Sequence, residues 1–266
     1  MFDRVVLSTD ENPNYIEFWP LVCSAWKKFF PEISVSLAFV SDRTESDDLL
    51  LRMKKFGDGI EIFKTVDGIP TANHAKVARL ILASEFENEV CLIHDIDTVP
   101  LQSEYTKSCL AVRNAGELLA VGAELYKDTS DSGKFPMSHV TGEGWIFRKL
   151  FNPQAVDREA VVSRFIDCRV CDDKESINNH PDNFSDESLI RAMLYKNKDI
   201  VVRHWKRRIF FLDRSEWGNF HEDIWENGEY AEANMPRPFS SNYEEIEFIV
   251  KYICGDVLRE EILLRI

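Results

Sequence analysis

The chain has 266 residues and a mass of 30.9 kDa, a size that suits one large domain. Hydrophobic residues make up 44% and aromatic residues 12%, enough for a packed core, which excludes intrinsic disorder. Thirty-two Lys and Arg against 46 Asp and Glu give a net charge of −14, which excludes a general basic face for nucleic acid and demands basic side chains or a divalent cation for any anionic ligand.

Arg4–Thr9 reads as a short strand ending in the polar turn Asp10–Pro13. Tyr15–Phe30 places Ile16, Trp19, Val22, Cys23, Trp26 and Phe30 at helical spacing, and Pro31 stops it. Val35–Val40 is a second strand, Leu49–Phe56 a short helix closed by Gly57, and Ile60–Phe63 a third strand by alternation. Thr71 or Asn73 caps a helix through Phe86, with Val77, Leu80, Ile81 and Ala83 on its inner face. Val90–Ile93 is uninterrupted and apolar, as a strand covered on both faces should be. It runs into His94-Asp95-Ile96-Asp97-Thr98-Val99-Pro100. This rhythm predicts a mostly parallel sheet flanked by helices.

The second half is less regular. Leu118–Glu124 reads as a buried strand, Lys127–Lys134 as a polar loop and Met137–Phe147 as strand-like around the break Gly142-Glu143-Gly144. Val156–Ile166 is helical, Asp172–Asn183 is a long polar loop, and Ser185-Asp186-Glu187 opens a helix through Tyr195. Ile200–Val202 reads as the last strand, and Tyr243–Cys254 as an amphipathic helix in the tail 237–266. No repeat or Gly/Ser/Pro-rich linker divides the chain, so a single α/β domain over 1–266 is expected.

No apolar run approaches the ~20 residues of a membrane helix. Met1–Arg4 leads straight into a strand pattern without the features of a signal peptide, so a soluble, cytoplasmic protein is expected. Cys168 and Cys171 form a C-x-x-C with no second pair, and the six cysteines read as reduced thiols. His74, His94, His139 and His180 share no ligand spacing, and Arg203, Lys206, Arg207 and Arg208 form the one basic run. No G-x-S-x-G, Walker A or G-x-G-x-x-G pattern is present.

In an open parallel sheet, ligands bind beyond the carboxyl ends of the strands. Asp95 and Asp97, where the Val90–Ile93 strand gives way to a turn, are placed to approach one Mn²⁺ or Mg²⁺, which would bridge to a diphosphate. The bland alternative is a solvated acidic turn. Lys76 and Arg79, one helical turn apart, are either solvated cations or diphosphate partners. Thr9, Asp10 and Asn12 either hydrogen-bond a base or ribose or make the turn that caps the next helix.

Ser8-Thr9-Asp10-Glu11-Asn12-Pro13 with Phe18-Trp19-Pro20, Pro70-Thr71-Ala72-Asn73 with Lys76 and Arg79, and Asp95-Ile96-Asp97 with Pro100 together resemble a GT-A-fold (Rossmann-like) glycosyltransferase. The likeness extends to the small nucleotide-sugar transferases of large algal (chlorella) viruses and covers about the first 150 residues well. It implies a nucleotide-sugar-binding half over about 1–100, an irregular acceptor-binding half over about 101–236 and a helical tail over about 237–266. It implies that Asp97 ligates the metal, that Asp95 touches metal or ribose, and that Thr9, Asp10, Asn12, Lys76 and Arg79 lie at the donor. Gly144 and Trp145 fall where such enzymes carry a glycine-containing strand beside the donor sugar, and Trp145 is either an acceptor-stacking ring or a core aromatic. Asp186, ahead of Glu187, is implied as general base of an inverting reaction, although a Ser cap with first-turn acids is also an ordinary helix start. For the third metal ligand that the resemblance implies, His204 at the exit of the last strand is the first choice, ahead of His221; Glu232 and Asn234 stand where the family carries Asp and His, which leaves Asn234 an amide oxygen to offer in place of a tail histidine. The expected function is metal-dependent transfer of a sugar from a nucleoside diphosphate sugar, foremost a UDP-sugar, to a glycan or glycoprotein hydroxyl. The competing expectations are a nucleotidyltransferase and a non-catalytic carbohydrate- or nucleotide-binding module of the same fold.

Overall fold

The computed structural model describes residues 1–126, 135–166, 186–207, 210–214 and 227–255, with positions 217, 225, 262 and 264. The loops read at Lys127–Lys134 and Asp172–Asn183, the C-x-x-C at Cys168 and Cys171, Ser185, His180, Arg208 and His221 lie outside the described residues.

Strands β1 (Arg4–Thr9), β2 (Ser34–Val40), β3 (Gly59–Phe63) and β4 (Val90–His94) alternate with helices α1 (Pro13–Ile16), α2 (Trp19–Phe29), α3 (Asp48–Met53) and α4 (Thr71–Glu85). After β4 come β5 (Thr98–Pro100), α5 (Glu104–Leu110), β6 (Glu117–Val121), β7 (His139–Glu143), α6 (Gly144–Phe151) and α7 (Arg158–Ile166). The described chain continues with α8 (Asp186–Lys196), β8 (Val201–Trp205), β9 (Phe210–Leu212), β10 (Tyr230–Asn234) and α9 (Tyr243–Cys254). Seven strands form one sheet in the order β3-β2-β1-β4-β7-β6-β8, in which only β7 runs against its neighbours. A second sheet, β5-β10-β9, stands beyond the carboxyl end of β4.

The apolar runs of β1 and β4 follow from cover on both faces. Val5, Leu7 and Leu92 face one core with Trp19 and Trp26 of α2, whereas Val6, Cys91 and Ile93 face a second core with Leu80 and Ile81 of α4. The strict alternation of Cβ directions along a strand assigns each residue its side. Helix α2 starts with Pro20 in its first turn, and the Trp19 indole donates to the Met53 carbonyl at 2.9 Å, joining α2 to α3. Among the described residues no helix is long and apolar enough to cross a membrane.

Three expectations change. Thr71 is the first residue of α4 and Pro70 its cap, because the Thr71 hydroxyl is turned to Asp10. Met137–Phe147 is not one strand: β7 ends at Glu143 and Gly144 starts a helix. Nor is β8 the last strand, since β9 and β10 follow. They are short and pair outside the main sheet, so neither carries a long apolar run.

Candidate active site

Four carboxylates and three arginines converge where β1 and β4 end. The two strands lie side by side and parallel, Val6 opposite Ile93, so Asp10 and the Asp95–Asp97 turn leave the sheet at one edge. The turn is tied down from both sides. Thr98 N–H donates to the Asp95 carbonyl at 3.3 Å, Met235 N–H donates to the Asp97 carbonyl at 2.8 Å, and Thr98 lies opposite Asn234 in the β5–β10 ladder.

Arg79 organises the site. It sits on the sheet-facing side of α4, is 6% exposed, and spreads its guanidinium between two acids. Nη1 donates to Asp95 Oδ1 at 2.6 Å and to the His94 carbonyl at 3.1 Å, and Nη2 donates to Asp186 Oδ2 at 2.6 Å. The planar fork of arginine is what allows one residue to serve two carboxylates from different elements. Burial would raise the Asp95 carboxyl, but the Arg79 charge outweighs it and holds the group below the usual carboxylate range. The same two acids hold the Arg79 guanidinium firmly protonated despite its burial.

Asp97 is held differently. Its Oδ2 accepts from Arg214 Nη2 at 2.5 Å, and Arg237 Nε lies 3.7 Å away. Burial and the neighbouring Asp95 charge push the Asp97 carboxyl up, against the pull of the two arginines. Arg214 is fixed by two further acceptors, Asn234 Oδ1 at 2.6 Å and the Met235 carbonyl at 2.9 Å.

Behind this edge lies a buried polar cluster. Glu232, 1% exposed, accepts from His94 Nε2 at 3.2 Å, with His139 Nδ1 and Arg207 Nη2 each 3.7 Å from its carboxylate. Burial opposes ionisation of Glu232, yet the two imidazoles outweigh it and hold the carboxyl well below its usual range. The cluster joins β10 to the facing ends of β4 and β7.

The remaining sequence-derived residues divide clearly. Asp10 is at the edge, 7% exposed, and accepts from the Thr71 hydroxyl at 2.7 Å and the Asn12 N–H at 3.1 Å. Asn12 takes the capping option, its Oδ1 accepting from Asn14 N–H at 3.0 Å, and the Thr9 hydroxyl turns onto the Asp10 carbonyl. Lys76 lies half-buried on α4 one turn before Arg79. Glu187 follows Asp186 in the first turn of α8 and is half-buried.

Gly144, Trp145 and His204 are not brought to this edge. Because β7 runs antiparallel to β4, Glu143 lies opposite Val90 and Gly144 N–H donates to the Glu89 carbonyl at 2.9 Å. Gly144 and Trp145 thus sit at the amino end of β4, the strand's length (~13 Å) from the acids. Packing explains the glycine: a Cβ there would lie 2.1 Å from the Phe86 carbonyl oxygen. Trp145 is 43% exposed and belongs to neither core. His204 is exposed on β8 at the sheet margin, three strands from β4 (~14 Å), with its ring centroid 6.0 Å from that of Phe135.

Sequence reasoning missed Arg214, reached Arg237 only as the first position of the tail 237–266, and named Glu232 only as a departure from the resemblance. Arg214 follows a three-residue strand in a stretch without periodicity, so nothing local marks it. His94 and His139 looked scattered because the antiparallel register that sets them opposite one another is a long-range feature.

Asp97 Oδ2 accepts from Arg214 and Asp95 Oδ1 from Arg79, so a Mg²⁺, which takes oxygen ligands at about 2.1 Å, would be left the second oxygen of each carboxylate. Among the described residues no three His, Cys, Asp or Glu side chains converge as an ion site.

No family profile and no curated protein sequence matches the chain. Among solved structures, the galactosyltransferase LgtC in complex with donor and acceptor sugar analogues is similar over 97% of this chain and 98% of its own, at 13% identity and a TM-score of 0.51. An active-site mutant of LgtC is similar over 87% of this chain and 86% of its own, at 13% identity and a TM-score of 0.52. The apo glycosyltransferase GlyE of Streptococcus pneumoniae TIGR4 aligns over 95% of this chain and 64% of its own, at 13% identity and a TM-score of 0.47. What the chain shares with LgtC is its fold, the mostly parallel GT-A-type α/β architecture.

Proposed function

We propose that this protein is a glycosyltransferase that moves a sugar from a nucleoside diphosphate sugar, foremost a UDP-sugar, to a glycan or glycoprotein hydroxyl. The observation that carries this reading is the Arg79 bridge, which draws Asp95 from β4 and Asp186 from α8 to one point at the carboxyl edge of the sheet. That edge is where α/β sheets bind ligands. The LgtC-like fold supports sugar transfer in general, and the donor half then corresponds to the β1–β4 region.

The transfer breaks the bond between the anomeric carbon and the diphosphate oxygen, and the electron pair leaves with the nucleoside diphosphate. The acceptor hydroxyl oxygen forms the new bond to that carbon and gives its proton to a carboxylate at the start of α8. Asp186, first choice from the sequence, is buried with Oδ2 committed to Arg79, so we assign it a positioning role. Glu187, half-buried beside it, is assigned the proton, with attack from the face opposite the leaving group and inversion at the anomeric carbon.

The test is an incubation of the protein with a panel of nucleoside diphosphate sugars and oligosaccharide acceptors, with the anomeric configuration of the product read by NMR. One donor should be consumed with inversion. Glu187→Gln should lower transfer ~100-fold or more while leaving nucleotide affinity within about threefold. A retained anomeric configuration would overturn the base assignment. Nucleotide binding without transfer from any donor would favour a binding module.

A further inference from the structure

We propose that the guanidinium of Arg214, with Arg237 beside it, takes the place and the charge role of a divalent cation at the Asp95–Asp97 edge, so that the nucleoside diphosphate binds without metal. The inference rests on the donor reading above.

Three acceptors fix Arg214, and all belong to the wall of the site. They are Asp97 Oδ2 at 2.5 Å, Asn234 Oδ1 at 2.6 Å and the Met235 carbonyl at 2.9 Å. Asn234 is the informative partner. Its amide oxygen, an atom that could otherwise serve a hard cation, is committed to the Arg214 guanidinium. The Trp217 indole donates to the Asn234 carbonyl at 2.9 Å and holds that segment of β10 in place. Asn234 and Arg214 thus form a matched pair across Asp97.

The distribution of the charges points the same way. Asp95 is paired with Arg79, so Asp97 alone faces Arg214 and Arg237. Two guanidiniums flank the single Asp97 carboxylate, so the basic side chains that an anionic ligand needs in a chain of net charge −14 stand at this point, while the excess acid of the edge lies on the Arg79 side, where Asp95 and Asp186 share one guanidinium. Arg237 is held in position by the Tyr15 ring, 4.6 Å from its guanidinium carbon. A guanidinium also suits phosphate oxygens through its paired N–H groups, which a lone ammonium does not.

The experiment uses the full chain and two readouts. Isothermal titration with UDP, GDP, CDP, dTDP and ADP, each in EDTA and in Mn²⁺, compares the wild type with Arg214→Ala and Arg214→Lys. Electron paramagnetic resonance then follows Mn²⁺ uptake by the nucleotide-free proteins. The wild type should bind one nucleotide with affinities within about twofold in EDTA and Mn²⁺, and it should leave Mn²⁺ free in solution. Arg214→Ala should lose at least tenfold in EDTA, regain affinity in Mn²⁺ and take up an ion, because the vacated carboxylates then suit one. Arg214→Lys, which keeps the charge, should lie between and guards against a folding defect in the alanine variant. Binding by the wild type that EDTA abolishes and Mn²⁺ restores would overturn the arginine assignment and leave the donor reading standing. A well-folded wild type that binds no nucleotide in either condition would overturn the donor reading and this assignment with it.

Discussion

The two ends of β4 are built from the same residue types and wired differently. At its amino end, Arg4 donates twice to Glu89, at 2.7 and 3.0 Å, and once to Ser36, while its guanidinium lies 3.9 Å from the Phe86 ring centroid. Arg113 meets Glu143 at 2.9 Å. Each arginine there has its own acid. At the carboxyl end the charges are shared: Arg79 serves two acids, Asp97 draws two arginines, and Glu232 draws two imidazoles and Arg207. Saturated pairs tie elements together and offer a ligand little. A shared network holds charge that is not cancelled locally, and it sits at the edge where α/β sheets bind ligands.

The comparison is broken most severely by Arg79→Ala. That change leaves the buried Asp186 and its neighbour Asp95 without a counter-charge, and it should cost about 3–5 kcal/mol in denaturant unfolding. A loss below about 1 kcal/mol would show that the bridge is not a buried network.

Glu232→Gln should cost about 1.5–3 kcal/mol at neutral pH, the range for a hydrogen bond to a charged group. The pH dependence has a definite sign. The folded carboxyl is held below its usual value, so its stabilisation is present above the unfolded Glu range and is lost as pH falls through the folded value. The gap between wild type and variant should therefore narrow on acidification below the ordinary Glu range, as read by thermal melts from pH 7 to pH 3. A gap that widens would contradict the assignment.

Gly144→Ala probes the amino end. The added carbon would meet the Phe86 carbonyl oxygen at 2.1 Å and the carbonyl carbon at 2.5 Å, both backbone atoms that must shift. A cost of about 1–3 kcal/mol is expected, as for overpacking, with nucleotide affinity unchanged. Lost nucleotide binding at retained stability would return Gly144 to the ligand site. Smallest of all, Arg4→Ala should cost about 1 kcal/mol or less, because its pair with Glu89 is partly solvated.

How far the sequence alone carried this account depends on the range of each signal. The β1–β4 half was legible because each element is a short local pattern, and Asp95 and Asp97 could be placed because a buried strand precedes them. Arg79 and Asp186 were singled out separately, Arg79 for its helix face and Asp186 as a helix-opening acid. Their mutual bridge crosses 107 residues and has no local trace. Gly144 was misplaced because a glycine needed for close packing against a backbone reads like one needed for a ligand. Arg214 left no mark because its role comes from β9 and β10 pairing outside the main sheet.

A crystal structure of the protein with the nucleoside diphosphate that binds it tests the central claim most directly. The account predicts the diphosphate at the carboxyl ends of β1 and β4, in ion-pair contact with Arg214 or Arg237, and the nucleoside against the Asp10 side of the edge. A nucleotide seated at the amino end of β4 near Gly144 and Trp145, or against β8 near His204, would contradict it.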